Sequence, residues 1–189
     1  MANLFEVLSL HCSLLISNDE IDAAWRRLSQ EFHPDVGNDQ DMELSAQINS
    51  ARSYLLTAAG RLDAWLEAND ATSTSRNAAI SSEMMDLFSA IGKILEKADQ
   101  TIKSLKQSQT ALAKSLLTGT ALEVQLKLQT SLAKIANVTS TITDRFPEFE
   151  KFGLEGDFKE ATTALGDLKF LQKWEKECQQ RLLELISIE

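Results

Sequence analysis

This chain has little of what builds a secreted, metal-bound or membrane-spanning protein. It carries two cysteines in 189 residues, Cys12 and Cys178, too few and too far apart for a disulfide framework or a zinc knuckle. The histidines are His11 and His33 alone. His11 adjoins Cys12, an awkward pair for one ion, and no further Cys/His cluster stands near. Neither a metal nor a resident cofactor is expected, and reducing, cytoplasmic conditions fit best. No apolar run approaches the roughly 20 residues needed to cross a bilayer, and the N-terminus lacks the basic start of a secretory leader. Positive charge is short as well. Nineteen basic against 28 acidic residues leave a net charge of -9, which argues against nucleic acid or an anionic membrane as partner. Two prolines and seven glycines break the chain rarely, while 43% hydrophobic and 25% charged residues suit a folded, helix-rich protein.

What is present is helical periodicity. "NLFEVLSL" predicts a short first helix with Leu4, Phe5 and Leu8 inward. Asn18 is the expected cap of a second helix, with Asp19, Glu20 and Asp22 in the first turn, where carboxylates offset the positive helix end. Ile21, Ala24, Trp25, Leu28 and Phe32 then recur on one face. A third helix is expected from about Met42, interrupted at Gly60, followed by a short fourth in "RLDAWLEA". The polar, aperiodic "NDATSTSRNAA" reads as a linker. Beyond it three long amphipathic helices are expected. The first runs from Ser82 to about Thr118 and is closed by Gly119, the second from about Ala121 to Phe146, and the third from about Asp157 to Ile186. Short joins between such helices make an antiparallel bundle. No strand-like alternation competes, so the expected fold class is all-α.

His33-Pro34-Asp35 stops the second helix, because the residue before proline is pushed out of the helical region. Such endings are common, and a helix stop is the plain reading. A His/Asp acid–base pair is another, but no nucleophile, phosphate loop or metal accompanies it, so an enzyme is not expected. The surroundings carry more. "AAWRRLSQEFHPDV" resembles the second helix and loop of a J-domain, the module through which co-chaperones stimulate the ATPase of DnaK-type chaperones. Trp25, Arg26, Arg27, Leu28 and Phe32 stand at the family's aromatic, basic, basic, apolar and aromatic positions before HPD. "AQINSARSYLLTAAGRLDAWL" is similar to the third helix, with Ile48, Asn49, Ala51 and Leu55 typical and Arg61 in the basic position that follows. The resemblance implies that His33, Pro34 and Asp35, with Arg26, Arg27 and Trp25, meet an HscA/DnaK-type ATP-dependent chaperone. Two features depart from the pattern. Val36 replaces the usual Lys or Arg after HPD, and Asp22 and Glu31 stand where many J-domains are basic. Electrostatic steering toward the chaperone should then be weaker, or the partner's surface should compensate.

The second half has no Gly/Phe-rich linker or β domain. A J-domain followed by a helical bundle resembles HscB, the co-chaperone of iron-sulfur cluster assembly, and "SSEMMDLFSAI" and "LGDLKFLQKWEKECQQRLLELI" extend that likeness across nearly the whole chain. The resemblance implies an L-shaped protein with a J-domain over 1–70, a linker over 71–81 and a three-helix bundle over 82–189. Met84, Met85, Phe88 and Phe170 would then hold an IscU-like scaffold protein. Helical geometry bears independently on these four. At about 100° per residue, Phe170 lies roughly 130° from the stripe of Ala161, Leu168, Leu171, Cys178 and Leu182. Met85 is similarly off its own stripe, Phe88 borders it, and Met84 sits nearer the core. Met and Phe beside a stripe also serve as core or as packing against a neighbouring domain. Off-stripe apolar residues on two helices are equally what a partner patch requires. Two alternatives stay open: a J-domain co-chaperone with another client, and a helical interaction protein whose HPD only ends a helix.

Overall fold

The computed structural model describes residues 3–32, 39–71 and 82–188, and every regular element among them is an α-helix. These are α1 (Leu4–Val7), α2 (Asn18–Glu31), α3 (Asp39–Leu55), α4 (Ala58–Ala68), α5 (Ser82–Gln107), α6 (Ala111–Thr143), α7 (Phe146–Leu154) and α8 (Lys159–Ile188). The all-α expectation holds. None of these helices is long and apolar enough to cross a membrane. The chain divides into two compact units, Met1–Ala78 with Ile142–Gly166, and Ala79–Thr141 with Asp167–Glu189. The expected linker over 71–81 lies outside the described residues except for Ala71.

In the first unit α1 begins at Asn3, whose side chain accepts a hydrogen bond from Phe5 N at 3.0 Å. That turn buries Phe5 and Leu8 completely. The cap of α2 is Ser17, not Asn18. Ser17 Oγ accepts from Glu20 N at 3.2 Å, and Glu20 Oε2 accepts from Ser17 N at 2.8 Å. The reason is spacing: a capping box requires a hydroxyl three residues before a carboxylate or amide side chain, and Ser17 with Glu20 provides it. Asn18 becomes the first helical residue, and its Oδ1 accepts from Arg61 Nη2 at 2.5 Å. Ile21, Ala24 and Leu28 then point into the core with Ile48, Leu55 and Leu62.

The break between α3 and α4 falls at Leu56 and Thr57, where Thr57 caps α4, and Gly60 sits inside the first turn of α4. A Cβ at Gly60 would overlap the Tyr54 carbonyl oxygen, so the close helix-to-helix turn requires glycine. The second half of the chain completes this unit through α7. Its Glu150 Oε1 accepts from Ser13 Oγ at 2.7 Å and from Leu14 N at 2.6 Å, tying down the segment before α2. Gly153 leaves room for the Trp65 ring, which would lie 2.6 Å from a Cβ there and which packs on Phe158 at 5.5 Å between centroids.

The second unit contains α5, most of α6 and the larger part of α8. Lys97 meets Glu123 at 3.2 Å across the α5–α6 hairpin, so these helices are antiparallel. Asp99 meets Arg181 at 3.0 Å and Lys106 meets Glu184 at 3.3 Å, so α5 and α8 run parallel. The polarity is that of an up-down-up bundle. Ile91, Ala98, Val124, Leu128, Leu171 and Cys178 supply its core. The hairpin does not turn at Gly119. α5 stops at Gln107, and Thr110 opens α6, its carbonyl accepting from Lys114 N and its hydroxyl from Ala113 N. Thr110 supplies the hydroxyl favoured at a helix start, and Gly119 lies within α6.

Candidate functional site

The first candidate surface is the outer face of α2. Burial of Ile21, Ala24 and Leu28 fixes the helix's rotation and leaves Arg26 and Arg27 exposed. Arg26 Nε donates to the Asp22 carbonyl at 3.3 Å, one turn back. Asp22, which stood out in the sequence as an acid on a face expected to be basic, has a local task. Its Oδ1 pairs with Arg52 Nε of α3 at 2.7 Å. The Arg52 guanidinium also lies over the Trp25 ring, 4.4 Å from its centroid. Trp25 Nε1 donates to Asn49 Oδ1 at 2.8 Å. Trp25 therefore clamps α2 to α3 through its face and its polar edge, and Asp22, Asn49 and Arg52 complete the clamp. In the sequence Asn49 stood out only as typical of a third helix, and Arg52 gave no functional signal.

α2 ends at Glu31, with Phe32 as C-cap and its N–H bonded to Leu28 O at 2.9 Å. His33, Pro34, Asp35 and Val36 follow outside the described residues. Behind α2, Arg61 forms a second anchor. Its Nη1 donates to Ile16 O at 2.6 Å and its Nε to Leu55 O at 3.1 Å, in addition to the Asn18 bond. Burial lowers the Arg61 pKa from its ordinary value. One guanidinium thus joins the end of α3, the entry to α2 and α2's first residue, using the fork geometry that lysine lacks.

The second candidate surface lies in the second unit. Met85 is 59% exposed and Phe170 37% exposed, while Met84 is buried. Phe88 is half-buried, with its ring 5.1 Å from Phe170 and 5.7 Å from Trp174, nearly parallel to the latter. The parallel arrangement of α5 and α8 brings these residues side by side. Phe170 and Trp174 share a face of α8 because they are four residues apart. Trp174 belongs to the cluster as much as Phe88 does, and its buried Nε1 has no hydrogen-bond partner among the described residues. Met84 points inward beneath this surface.

His11 and Cys12 line a shallow cleft of the first unit with Trp65, Asn69 and Glu150. Burial, then the carboxylates of Glu150 and Glu6, push the Cys12 thiol up, so it is no activated nucleophile. No group of three ligand-type side chains able to hold a metal occurs among the described residues.

The chain has the fold of a solved chaperone: it superposes on the chaperone HscB from Vibrio cholerae with a TM-score of 0.52, covering 94% of this chain and 96% of that one at 15% sequence identity. The sequence matches no protein-family model and no curated protein.

Proposed function

We propose that the chain is a J-type co-chaperone that stimulates ATP hydrolysis by an HscA/DnaK-type chaperone and delivers an IscU-like iron-sulfur scaffold protein to it. The reading is carried by an HscB-like fold along nearly the whole chain in which the helix before His-Pro-Asp stops at the preceding residue, Phe32. Pro34 fixes φ near −65°, which would hold His33 and Asp35 ready for the chaperone with little ordering cost. Arg26 and Arg27 supply the positive face of α2. Residues 1–70 are assigned to the J-domain and 82–189 to the client-binding part, whose client surface lies in the bundle of the second unit, residues 142–166 packing in the first. Met85, Phe88 and Phe170, with Trp174 behind Phe88, make an apolar anchor of the kind that dominates interfaces, while Met84 supports it from below. The chain performs no chemistry itself. By binding two partners at once in the cytoplasm, it raises the effective concentration of client at chaperone.

The test is steady-state ATPase activity of the chaperone with the scaffold present. Wild type should raise the rate severalfold and His33→Gln should not, with circular dichroism showing both folded. A wild-type chain without effect on any DnaK-type chaperone ends this reading. A chain that stimulates the ATPase but whose Phe88→Ala/Phe170→Ala variant binds the scaffold unchanged has another client.

A further inference from the structure

Four large apolar side chains of α6 face solvent: Leu112, Leu116, Leu122 and Leu126 are 49–75% exposed. Their placement around Gly119 is symmetric. They lie seven and three residues before it and three and seven after it. At about 100° per residue they occupy a stripe roughly 120° wide centred on Gly119, opposite the core face of Ala121, Val124, Leu128 and Ile135. A mid-helix glycine weakens its helix. Nothing among the described residues requires this one, because a Cβ at Gly119 would meet none of their atoms within 4 Å. What uses a glycine at the centre of an apolar stripe is the close approach of another backbone.

We propose that this stripe is the interface for a second copy of the same chain, with α6 packed antiparallel on α6 about a two-fold axis at Gly119. That axis sets Leu112 against the second copy's Leu126 and Leu116 against its Leu122, so the surface is self-complementary, as a two-fold interface must be. Glu123 is already held by Lys127 at 2.6 Å and Lys97 at 3.2 Å. The four leucines of both copies would remove about 1,000 Å² from water, at the low end for specific interfaces. An interface of this size belongs with weak, reversible associations, so micromolar concentrations are where it should be sought. The proposal does not depend on the co-chaperone reading. If both hold, each particle carries two chaperone-facing and two client-facing surfaces.

Sedimentation equilibrium over a range of micromolar concentrations should show the mass rising from 21.0 kDa toward twice that value. Leu116→Lys/Leu122→Lys should weaken association at least about tenfold, with an unchanged circular dichroism spectrum. Cysteine pairing tests the register even if the lysine variant misfolds. In a Cys12→Ser background, mixed Leu112→Cys and Leu126→Cys chains should oxidise to the mixed dimer faster than either alone. A mass fixed at 21.0 kDa, or a mixture that links no faster than the separate variants, overturns the proposal.

Discussion

Replacing Arg61 with methionine keeps the apolar stem and removes the guanidinium, and its cost can be worked from three hydrogen bonds. They run to Leu55 O at 3.1 Å, Ile16 O at 2.6 Å and Asn18 Oδ1 at 2.5 Å. A net value of about 1 kcal/mol per bond would sum to about 3 kcal/mol. Arg61 is only half-buried, so water recovers part of what the two carbonyls and the amide oxygen lose. We expect about 2 kcal/mol. With a urea slope near 1.5 kcal/mol/M for a unit of this size, the midpoint of the first unit should fall by roughly 1.3 M. Trp65 in the first unit's core and the far-ultraviolet circular dichroism signal report the transition. Arg61→Lys should recover little, since one ammonium cannot reach acceptors on both sides of the α2 entry. Chaperone stimulation should fall at temperatures where the first unit remains folded, because the bonds to Ile16 and Asn18 set where α2 begins. An Arg61→Met variant within about 0.5 kcal/mol of wild type would refute the view that this side chain ties α2, α3 and α4 together.

The two adjacent methionines should separate stability from binding. Met84→Ala, at a buried site, should destabilise the second unit by about 2–4 kcal/mol, whereas Met85→Ala should leave its melting unchanged and weaken scaffold binding, read by titration calorimetry. The thiols should differ in the same way. Cys12 should react with a thiol reagent in the native protein, slowly, while Cys178, buried with its pKa pushed up to about 11, should react only as the second unit unfolds. Glu20 gives a pH signature. The hydrogen bonds from the Ser17 hydroxyl and backbone N–H lower its pKa, so its contribution is present above the unfolded value of about 4.3 and is lost as pH falls through the lower folded value. Glu20→Gln should therefore flatten the acid limb of stability below about pH 5, measured by urea midpoints across that range.

Much of the helical architecture was legible because it rests on period and local chemistry. The stripe of Ile21, Ala24 and Leu28 is buried as its spacing requires, and Phe170 falls off its stripe toward solvent. Fine boundaries were less legible where two local signals competed. Asn18 is a good capping residue, but Ser17 with Glu20 satisfies two orphan backbone groups at once and wins. Gly119 is a plausible helix end, but α6 is already open at Thr110, nine residues earlier, and runs through the glycine.

The sequence alone determined the helix-only fold, the stop after Phe32, the inward position of Met84 and the outward position of Met85, since each depends on residues within a few turns of one another. Only the tertiary structure decided that Asp22, Arg52, Trp25 and Asn49 form one clamp, that Arg61 holds the entry to α2, that Glu150 reaches back to Ser13, and that Phe88 meets both Phe170 and Trp174. Those contacts join residues 24 to 137 positions apart, and no local period reports which helix faces will meet, or in which direction the helices run.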